Sequence, residues 1–406
     1  MRAMILIEKI IGKYEKSAQD WKGESVGNRS LRIQQKDYDE VGKSRLLQEA
    51  GELEAQGLLR VKWFNNKTDI EKIIFSLEDI PNLYQMLGKT SKAESLKQTS
   101  EFVNKQMKGA KKHWIRACYE EILRQLENGI IPKNLLLVSE TGHENSKEIV
   151  VGEADFNLFC ICLNALDVLQ EPIYKRIFSK YHLGNSKTFE KILQSRIISQ
   201  ARKYHPDVDD NMSESEVLSQ LYIEEYSQEL AVKGELILEV SGERIDLSKF
   251  IYGTVLNSEM LKYAQIATQQ KIRKIITVEN KANYISMKYE PGTLIIFSHG
   301  YFSPKERDFL KELGRMLGKE VAYFHTGDLD YGGVKIFQYI RIHIFPQLHP
   351  FLMDVAQYET YETMGEKMDD STWLKISKLK EPMLQPLIDM IVKKKIVIEQ
   401  ESFLYQ

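Results

Sequence analysis

The chain has 406 residues, enough for two to four domains, of which 43% are hydrophobic and 28% charged. This composition can build hydrophobic cores and excludes an intrinsically disordered protein. The 56 Lys and Arg residues face 58 Asp and Glu residues, for a net charge of -2. This balance excludes a histone-like basic protein but allows a nucleic-acid binder with a local basic surface.

The sequence shows no sign of a membrane segment or a secretory signal. No apolar run approaches the ~18 residues that a transmembrane helix needs, and Glu8 and Lys9 interrupt the short apolar stretch at the start. Cys118, Cys160 and Cys162 lack the spacing of a metal site or disulfide framework, so we expect them to be small core residues. These features predict a cytoplasmic protein without membrane contact.

Residues 1–95 have the element order helix, short strand, helix and two strands. Apolar residues at helical spacing predict helices that begin near Ile5 and before Leu46, and apolar runs from Val61 and Ile73 predict the two strands. This is the order of a winged helix, which contacts DNA in some proteins and other proteins elsewhere. We therefore predict a winged-helix-like domain over residues 1–95.

Residues 96–255 are predicted to be mostly helical, with a small hairpin that begins near Lys233. A basic cluster near the start of this region is either a solvated helix face or a set of phosphate contacts. Its members are Lys105, Lys108, Lys111, Lys112 and Arg116. The segment His205-Pro206-Asp207 is the tripeptide of J domains, but the apolar motif that opens a J domain is not evident upstream. A turn after a helix is the simpler interpretation.

The last predicted domain, residues 256–406, alternates strands and helices. A helix over about residues 256–270 leads into it, and a later helix begins at Ser303, with Glu306 as its capping-box partner. Three short apolar strands are expected at 272–278, 294–297 and 321–324. Continuous apolar strands separated by helices indicate a parallel sheet that is covered on both faces.

Three acidic residues fall at the ends of these strands, namely Glu279, Asp328 and Asp330. Ligands of such sheets collect beyond the carboxyl ends of the strands. If the strands that end at Glu279 and Asp330 are neighbours, three carboxylates converge, and they repel one another unless a cation neutralises them. All-oxygen ligation favours Mg²⁺ or Mn²⁺. Gly332 and Gly333 allow close backbone approach where the next helix, and with it an anion-binding terminus, begins.

Other interpretations of these residues stay open. The Asp-Leu-Asp segment also occurs in phospho-aspartyl enzymes of the haloacid-dehalogenase type, but here a carboxylate strand precedes it and Gly332 takes the place of the usual Thr or Val. Alternatively, Glu279 ends its strand by accident and Asp-Leu-Asp is a turn. His299 and His325 flank the proposed site and either contact phosphate or are satisfied locally.

The segments Val278-Glu279-Asn280, Ser298-His299-Gly300 and His325 to Gly333 resemble the Toprim domain, the metal-dependent module of topoisomerases, primases and related nucleases. More closely, over about residues 272–340, they resemble the nuclease subunit family of bacterial Wadjet plasmid-defence systems. The resemblance implies metal ligands at Glu279, Asp328 and Asp330, with Glu279 also acting as general acid or base. Among the accessory candidates beside them are Asn280, the two histidines, the two glycines and Glu401, whose tail segment either returns a carboxylate to the site or is a plain acidic strand end.

The expected fold class is α/β plus α-helical, with a C-terminal Toprim-type parallel-sheet domain after winged-helix-like and helical domains. The resemblance implies a DNA endonuclease that uses Mg²⁺ or Mn²⁺ to cut double-stranded plasmid DNA without sequence specificity. It also implies an SMC-like ATPase complex as partner, and a homodimer. Two alternatives stay open, a type VI topoisomerase-like enzyme with a tyrosine nucleophile and a non-catalytic DNA-binding adaptor.

Overall fold

The computed structural model describes residues 4–64, 68–129, 156–225 and 227–405. The chain divides into two compact units, residues 1–167 and residues 168–406. Part of the predicted helical region, residues 130–155, lies outside the described residues. Within the described ranges, no helix combines the length and the apolar character that crossing a membrane requires.

The first unit contains a small sheet and a set of helices. Its elements are α1 (Ile5–Lys16), α2 (Ala18–Trp21), β1 (Asn28–Arg32), α3 (Gln35–Val41), α4 (Lys43–Ala55), β2 (Arg60–Phe64), β3 (Asp69–Ser76), α5 (Ile80–Leu87), α6 (Lys92–Gly109), α7 (His113–Glu127) and α8 (Phe156–Val168). The described strands form an antiparallel sheet in the order β1-β3-β2.

The core of this sheet-containing part is formed by the apolar stripes of α1 and α4 and the inner face of the sheet. Leu6, Leu46 and Ile73 are fully buried in one cluster, and the hydroxyl of Tyr38 accepts a hydrogen bond from the Ile70 amide at 2.8 Å. The predicted order of helix, strand, helix and two strands is confirmed. Its assignment as a winged helix stays a prediction.

Two members of the basic cluster are used for local packing. Lys112 Nζ donates to the carbonyl of Leu166 at 2.8 Å, and Arg116 Nη2 donates to the carbonyl of Ala110 at 2.8 Å. Burial lowers the pKa of Lys112. Lys112 is half-buried and Arg116 exposed, and both have local backbone partners; Lys105, Lys108 and Lys111 are exposed as well. The three cysteines are buried, as predicted.

The second unit is built on a mixed sheet. Its elements are β4 (Ile173–Tyr174), α9 (Lys175–Leu183), α10 (Gln194–Tyr204), α11 (Glu214–Gln220), β5 (Ile223–Glu224), β6 (Glu229–Gly234), β7 (Ile237–Val240), β8 (Glu243–Asp246), β9 (Thr254–Asn257), α12 (Ser258–Tyr263), β10 (Gln265–Ile266), β11 (Lys274–Val278), α13 (Lys281–Ser286), β12 (Thr293–Phe297), α14 (Pro304–Leu317), β13 (Ala322–Thr326), α15 (Tyr331–His343), β14 (Leu348–Pro350), α16 (Val355–Tyr361), β15 (Glu366–Lys367), α17 (Asp370–Ile376), α18 (Gln385–Lys394) and β16 (Ile396–Val397). A π-helical turn at Phe189–Leu193 precedes α10, and a 3₁₀ turn at Gln400–Leu404 follows β16.

The main sheet of the described residues has the order β14-β13-β11-β12-β6-β9. The strands from β14 to β12 are parallel, as predicted, but β6 and β9 join antiparallel, so the sheet is mixed. Val278 pairs with both Phe297 and Thr326, which brings the carboxyl ends of β11, β12 and β13 to one level. The sheet begins at Glu229, and the predicted domain boundaries at 95 and 255 stay predictions.

The predicted helix over residues 256–270 is wrong in extent, because α12 covers only six residues. Thr254–Asn257 pairs with β6 as β9, and Gln265–Ile266 pairs with β7 as β10. Pairing with these neighbours therefore overrides the helical pattern on both sides. The predicted hairpin is confirmed, with β7 and β8 antiparallel. Its turn has positive φ at Ser241 and Gly242, the geometry that a two-residue hairpin turn with the natural strand twist requires.

Two predicted local features of this unit are confirmed. The capping box of α14 is formed, since Ser303 accepts from the Glu306 amide and Glu306 accepts from the Ser303 amide. The tripeptide that begins at His205 is a turn after α10, in which the carboxylate of Asp207 pairs with Arg307 at 3.0 Å. The tripeptide therefore connects the helical part of this unit to α14.

Lys233 on β6 links the sheet to the end of α13. Its side chain is buried, and Nζ donates to the carbonyl oxygens of Tyr284, Ile285 and Met287 at 2.9, 3.1 and 2.9 Å. These carbonyls belong to the last turn of α13 and have no helical partner there. A cation is well placed at this negative end of the helix.

We expect Lys233→Met, which keeps the aliphatic stem, to lower the free energy of unfolding by about 2 kcal/mol, because three carbonyls at the end of α13 lose a buried, charged donor. In a unit of this size that corresponds to a Tm lower by about 4–8 °C. Lys288→Met, at an exposed position, is the control. Equal melting of the two variants in calorimetry would show that the bonds of Lys233 contribute no net stability.

Candidate metal centre

The predicted convergence of Glu279 with the Asp-Leu-Asp segment is present. Glu279 follows β11 and Asp328 follows β13, and these two strands are neighbours. The amide of Glu279 donates to the carbonyl of Thr326 at 3.0 Å, which continues the strand pairing beyond the regular strands. The amide of Asp328 donates to Glu279 Oε2 at 3.2 Å. The sheet register therefore fixes the first carboxylate against the backbone of the second.

Asp330 caps the helix that follows. Its Oδ1 accepts a hydrogen bond from the Gly333 amide at 2.7 Å at the start of α15. A Cβ on Gly333 would lie 2.1 Å from the carbonyl oxygen of Asp328, so only glycine allows this tight turn. A Cβ on Gly332 would lie 3.0 Å from Asn211 Nδ2. Close backbone approach is therefore present at Gly333, whereas the neighbours of Gly332 are side-chain atoms.

The C-terminal segment, residues 396–404, lies across these strand ends. Ile398 forms a bridge with Leu329, with amide-to-carbonyl distances of 2.8 and 3.3 Å. The amide of Gln400 donates to Asp328 Oδ1 at 2.7 Å, and its side-chain Nε2 donates to Thr326 Oγ1 at 2.9 Å. Gln400 also accepts from the amide of Asn280 through Oε1 at 2.9 Å. One buried glutamine therefore ties together both strand ends.

This segment brings two further carboxylates to Asp328. One oxygen from each of Asp328, Glu399 and Glu401 lies within 4.8 Å of the other two, and these are residues that could hold a metal ion. The group does not include Glu279 or Asp330. Glu401 was a candidate from the sequence, whereas Glu399 was not. The sequence shows that Glu399 and Glu401 are acidic residues after a predicted strand. It does not show which other strand end they lie against.

Burial and mutual repulsion raise the pKa values of these carboxyl groups. For Glu279, burial and the charges of Asp328 and Asp330 hold the pKa well above its ordinary value. Burial raises the pKa of Asp328 to about 7, with the charges of Asp330, Glu399 and Glu401 adding to it against the hydrogen bond from Gln400. Burial also raises the pKa of Asp330, despite its hydrogen bonds to the backbone amides of α15. Burial, together with the charge of Asp330, raises the pKa of Glu399.

The residues present fit a hard divalent cation. Within the described ranges, none of the five acidic residues takes part in an ion pair with Lys, Arg or His. Carboxylate oxygens are the ligands that Mg²⁺ and Mn²⁺ take. A cation would offset the repulsion between these groups.

Two of the predicted accessory residues have local structural partners. Asn280 caps α13, with its Oδ1 accepting from the amides of Ala282 and Asn283 at 2.8 and 3.2 Å. His299 Nε2 lies 3.0 Å from Glu306 Oε1. Burial tends to lower the pKa of His299, but the hydrogen bond and the charge of Glu306 outweigh it and raise the pKa.

The other histidine, His325, is fully buried. Its Nδ1 lies 2.8 Å from Thr277 Oγ1 in the neighbouring strand. A side chain with no exposed surface cannot reach a DNA phosphate at the surface, so the phosphate-contact interpretation is wrong for this residue.

We expect the metal-free protein to lose stability as the pH rises from about 4, the ordinary carboxyl pKa, to about 7. In this range the folded state retains protons that the unfolded state has released, so the free energy of unfolding falls with rising pH. Asp328→Asn removes one charge and should stabilise the metal-free protein at pH 8 by at least about 1 kcal/mol.

Melting curves at pH 5 and pH 8, with and without Mn²⁺, measure this effect. Mn²⁺ should raise the Tm of the unmodified chain at pH 8 more than that of Asp328→Asn. Glu359→Gln, at an exposed site on α16, is the charge-matched control. A Tm that rises between pH 5 and pH 8 in the absence of metal, and Mn²⁺ effects that are equal in all three proteins, would contradict the account.

Comparison with known proteins gives two consistent matches. Residues 234–405, which include the main sheet from the end of β6 onward and the C-terminal segment, match the family described as Wadjet protein JetD, C-terminal. The chain is also 27% identical to the Wadjet protein JetD of Bacillus cereus (strain Q1), over 98% of this chain and 97% of that protein. The C-terminal part of the chain is therefore similar to the JetD family, and the similarity to a Wadjet protein JetD extends over nearly the whole chain.

Proposed function

We propose that this chain is the metal-dependent DNA endonuclease subunit of a Wadjet-type plasmid-defence system. The similarity to the JetD family over residues 234–405, and to a Wadjet protein JetD over nearly the whole chain, supports a role in Wadjet defence. The nuclease proposal depends on one observation, the cluster of carboxylates at the carboxyl edge of the parallel strands without a basic partner among the described residues. Such a cluster costs stability unless it binds a cation.

The proposed chemistry is hydrolysis of a phosphodiester bond. A bound Mg²⁺ or Mn²⁺ would supply charge neutralisation at the phosphate and an activated water. Asp328, held by the Gln400 amide, and the exposed Glu399 and Glu401 are the proposed ligands. Glu279, whose pKa is raised by burial and by the charges of Asp328 and Asp330, is the proposed general acid or base, since it can hold a proton that an ordinary carboxylate has released.

Asp330 serves this site through the backbone. As the N-cap of α15 it accepts from the first amides of this helix and fixes the turn that follows Asp328. The proposed assignment of this fold as Toprim is supported by the order of its strands, with Glu279 and the Asp-Leu-Asp segment on the neighbouring strands β11 and β13.

The proposed substrate is double-stranded plasmid DNA. No base-reading motif is evident in the sequence, so we expect cutting without sequence specificity, with the target chosen by DNA topology or by an SMC-like ATPase complex. The winged-helix-like part, together with the exposed Lys105, Lys108 and Lys111 of the helical region that follows it, provides the proposed phosphate contacts outside the site. A homodimer would place two sites on one duplex and allow both strands to be cut.

The residue next to the metal centre does not favour a tyrosine nucleophile. Tyr331 is buried, and its hydroxyl lies 2.9 Å from Asp210 Oδ1. Burial and the charge of Asp210 hold its pKa above the ordinary tyrosine value, so the phenolate form is disfavoured. Tyr331 is therefore not a candidate nucleophile, and hydrolysis by water, which the similarity to the Wadjet nuclease subunit implies, is the mechanism that we propose.

We expect the protein, together with its ATPase complex and ATP, to nick or linearise supercoiled plasmid in Mn²⁺ or Mg²⁺. Asp328→Asn should lower the cleavage rate by at least about 100-fold, and Glu399→Gln or Glu401→Gln by about 10–100-fold, because each removes a proposed ligand. Glu359→Gln on α16 is the control and should cut at the unmodified rate.

Denaturing gels with and without protease treatment distinguish the alternatives. If the cut DNA stays attached to protein until protease is added, the product is a covalent tyrosyl–DNA link. That result would contradict hydrolysis and indicate a tyrosine nucleophile. Plasmid defence in cells that is unaffected by Asp328→Asn would instead indicate a non-catalytic adaptor.

A further inference from the structure

His325 carries a buried nitrogen without a partner. The side chain has no exposed surface, and its Nε2 is among the buried polar atoms of the described residues that lack a hydrogen-bond partner. Buried polar atoms are nearly always paired in native proteins, and an exception requires an explanation such as a bound ion or water. His325 lies in β13, three residues before Asp328.

The hydrogen bonds of the neighbouring strand fix the tautomer of this ring. Thr277 Oγ1 donates its single proton to the carbonyl of Phe324 at 3.2 Å. With that proton on the carbonyl, we assign the proton of the 2.8 Å contact between Thr277 Oγ1 and His325 to Nδ1, so that the oxygen accepts it. Nε2 then has no proton and presents a free lone pair. Burial lowers the pKa of His325 to about 3, which keeps the ring neutral.

His325 Nε2 and the carboxylate of Glu279 both lie close to Gly327. A Cβ at Gly327 would lie 3.1 Å from His325 Nε2 and 2.3 Å from Glu279 Oε2. Thr277 and Glu279 are two residues apart along one strand, as are His325 and Gly327 along the next, so both pairs face the same side of the sheet. Any larger residue at 327 would displace one of the two groups.

We propose that His325 Nε2, which lies next to the carboxylate of Glu279, is a nitrogen ligand of the divalent cation of this centre. With a nitrogen ligand, the centre selects a transition-metal ion such as Mn²⁺ over Mg²⁺. The inference rests on the metal site of the proposed function. Neutral imidazole is a common ligand of transition metals, whereas Mg²⁺ keeps to oxygen. A histidine that binds a metal usually donates its other N–H to a fixed acceptor. In this protein the hydroxyl oxygen of Thr277 is that acceptor.

Pulsed electron paramagnetic resonance of Mn²⁺ bound to the full-length protein tests this directly, since it detects hyperfine coupling to ¹⁴N in the first shell. We expect an imidazole nitrogen coupling that disappears in His325→Gln. It should persist in His349→Gln, an exposed histidine on the adjacent strand β14. In calorimetric titrations, His325→Gln should weaken Mn²⁺ binding by about tenfold or more and leave Mg²⁺ binding unchanged.

A second pair of variants addresses the chance that His325→Gln fails to fold. Thr277→Val is nearly isosteric but removes the acceptor that fixes the ring, whereas Thr277→Ser keeps it. We expect Thr277→Val to lose about tenfold in Mn²⁺ affinity, with little change in Mg²⁺ affinity, and Thr277→Ser to retain the affinity of the unmodified chain.

The outcomes separate the inference from the function on which it rests. Mn²⁺ binding that depends on Asp328 but shows no nitrogen coupling would overturn the role of His325 and leave the carboxylate site intact, with a buried water as the partner of Nε2. Absence of Mn²⁺ binding to the unmodified chain, or binding that Asp328→Asn does not weaken, would overturn both.

Discussion

The repulsion between carboxylates at one edge of the sheet is the constraint on which the rest of this site depends. Glu279, Asp328 and Asp330 follow two neighbouring strands, and the charges of Glu399 and Glu401 add to theirs. Among the described residues no basic side chain forms an ion pair with any of them. The fold holds them together through backbone geometry, namely the level strand ends, the helix cap at Asp330 and the bonds of Gln400.

The C-terminal segment, residues 396–404, completes a site whose other residues are far away in the sequence. Gln400 contacts the ends of β11 and β13, and its two neighbours supply the additional carboxylates. The bridge between Ile398 and Leu329 sets the register, so that a shift of one residue would turn Glu399 and Glu401 away from Asp328. A few backbone hydrogen bonds thereby determine which acidic side chains can share a cation.

Much of this arrangement could be predicted from the sequence. Short apolar strands that end in Glu279 and Asp328 predicted the parallel strands and the meeting of their ends, and Ser303 with Glu306 predicted the start of α14. The extent of α12 and the antiparallel strands β6 and β9 could not be predicted, because they depend on pairing with distant strands. The same holds for Glu399 and Gln400, whose acidic and polar character is visible in the sequence while their partners, more than 70 residues away, are not.

The central claim is that these carboxylates form one divalent-cation centre. Anomalous diffraction from crystals of the full-length protein grown with Mn²⁺ tests it most directly. The account predicts a strong manganese peak at ligand distance, about 2.2 Å, from carboxylate oxygens of Asp328 and of Glu399 or Glu401. A crystal at saturating Mn²⁺ with no peak there, or with its peaks confined to other parts of the surface, would contradict it.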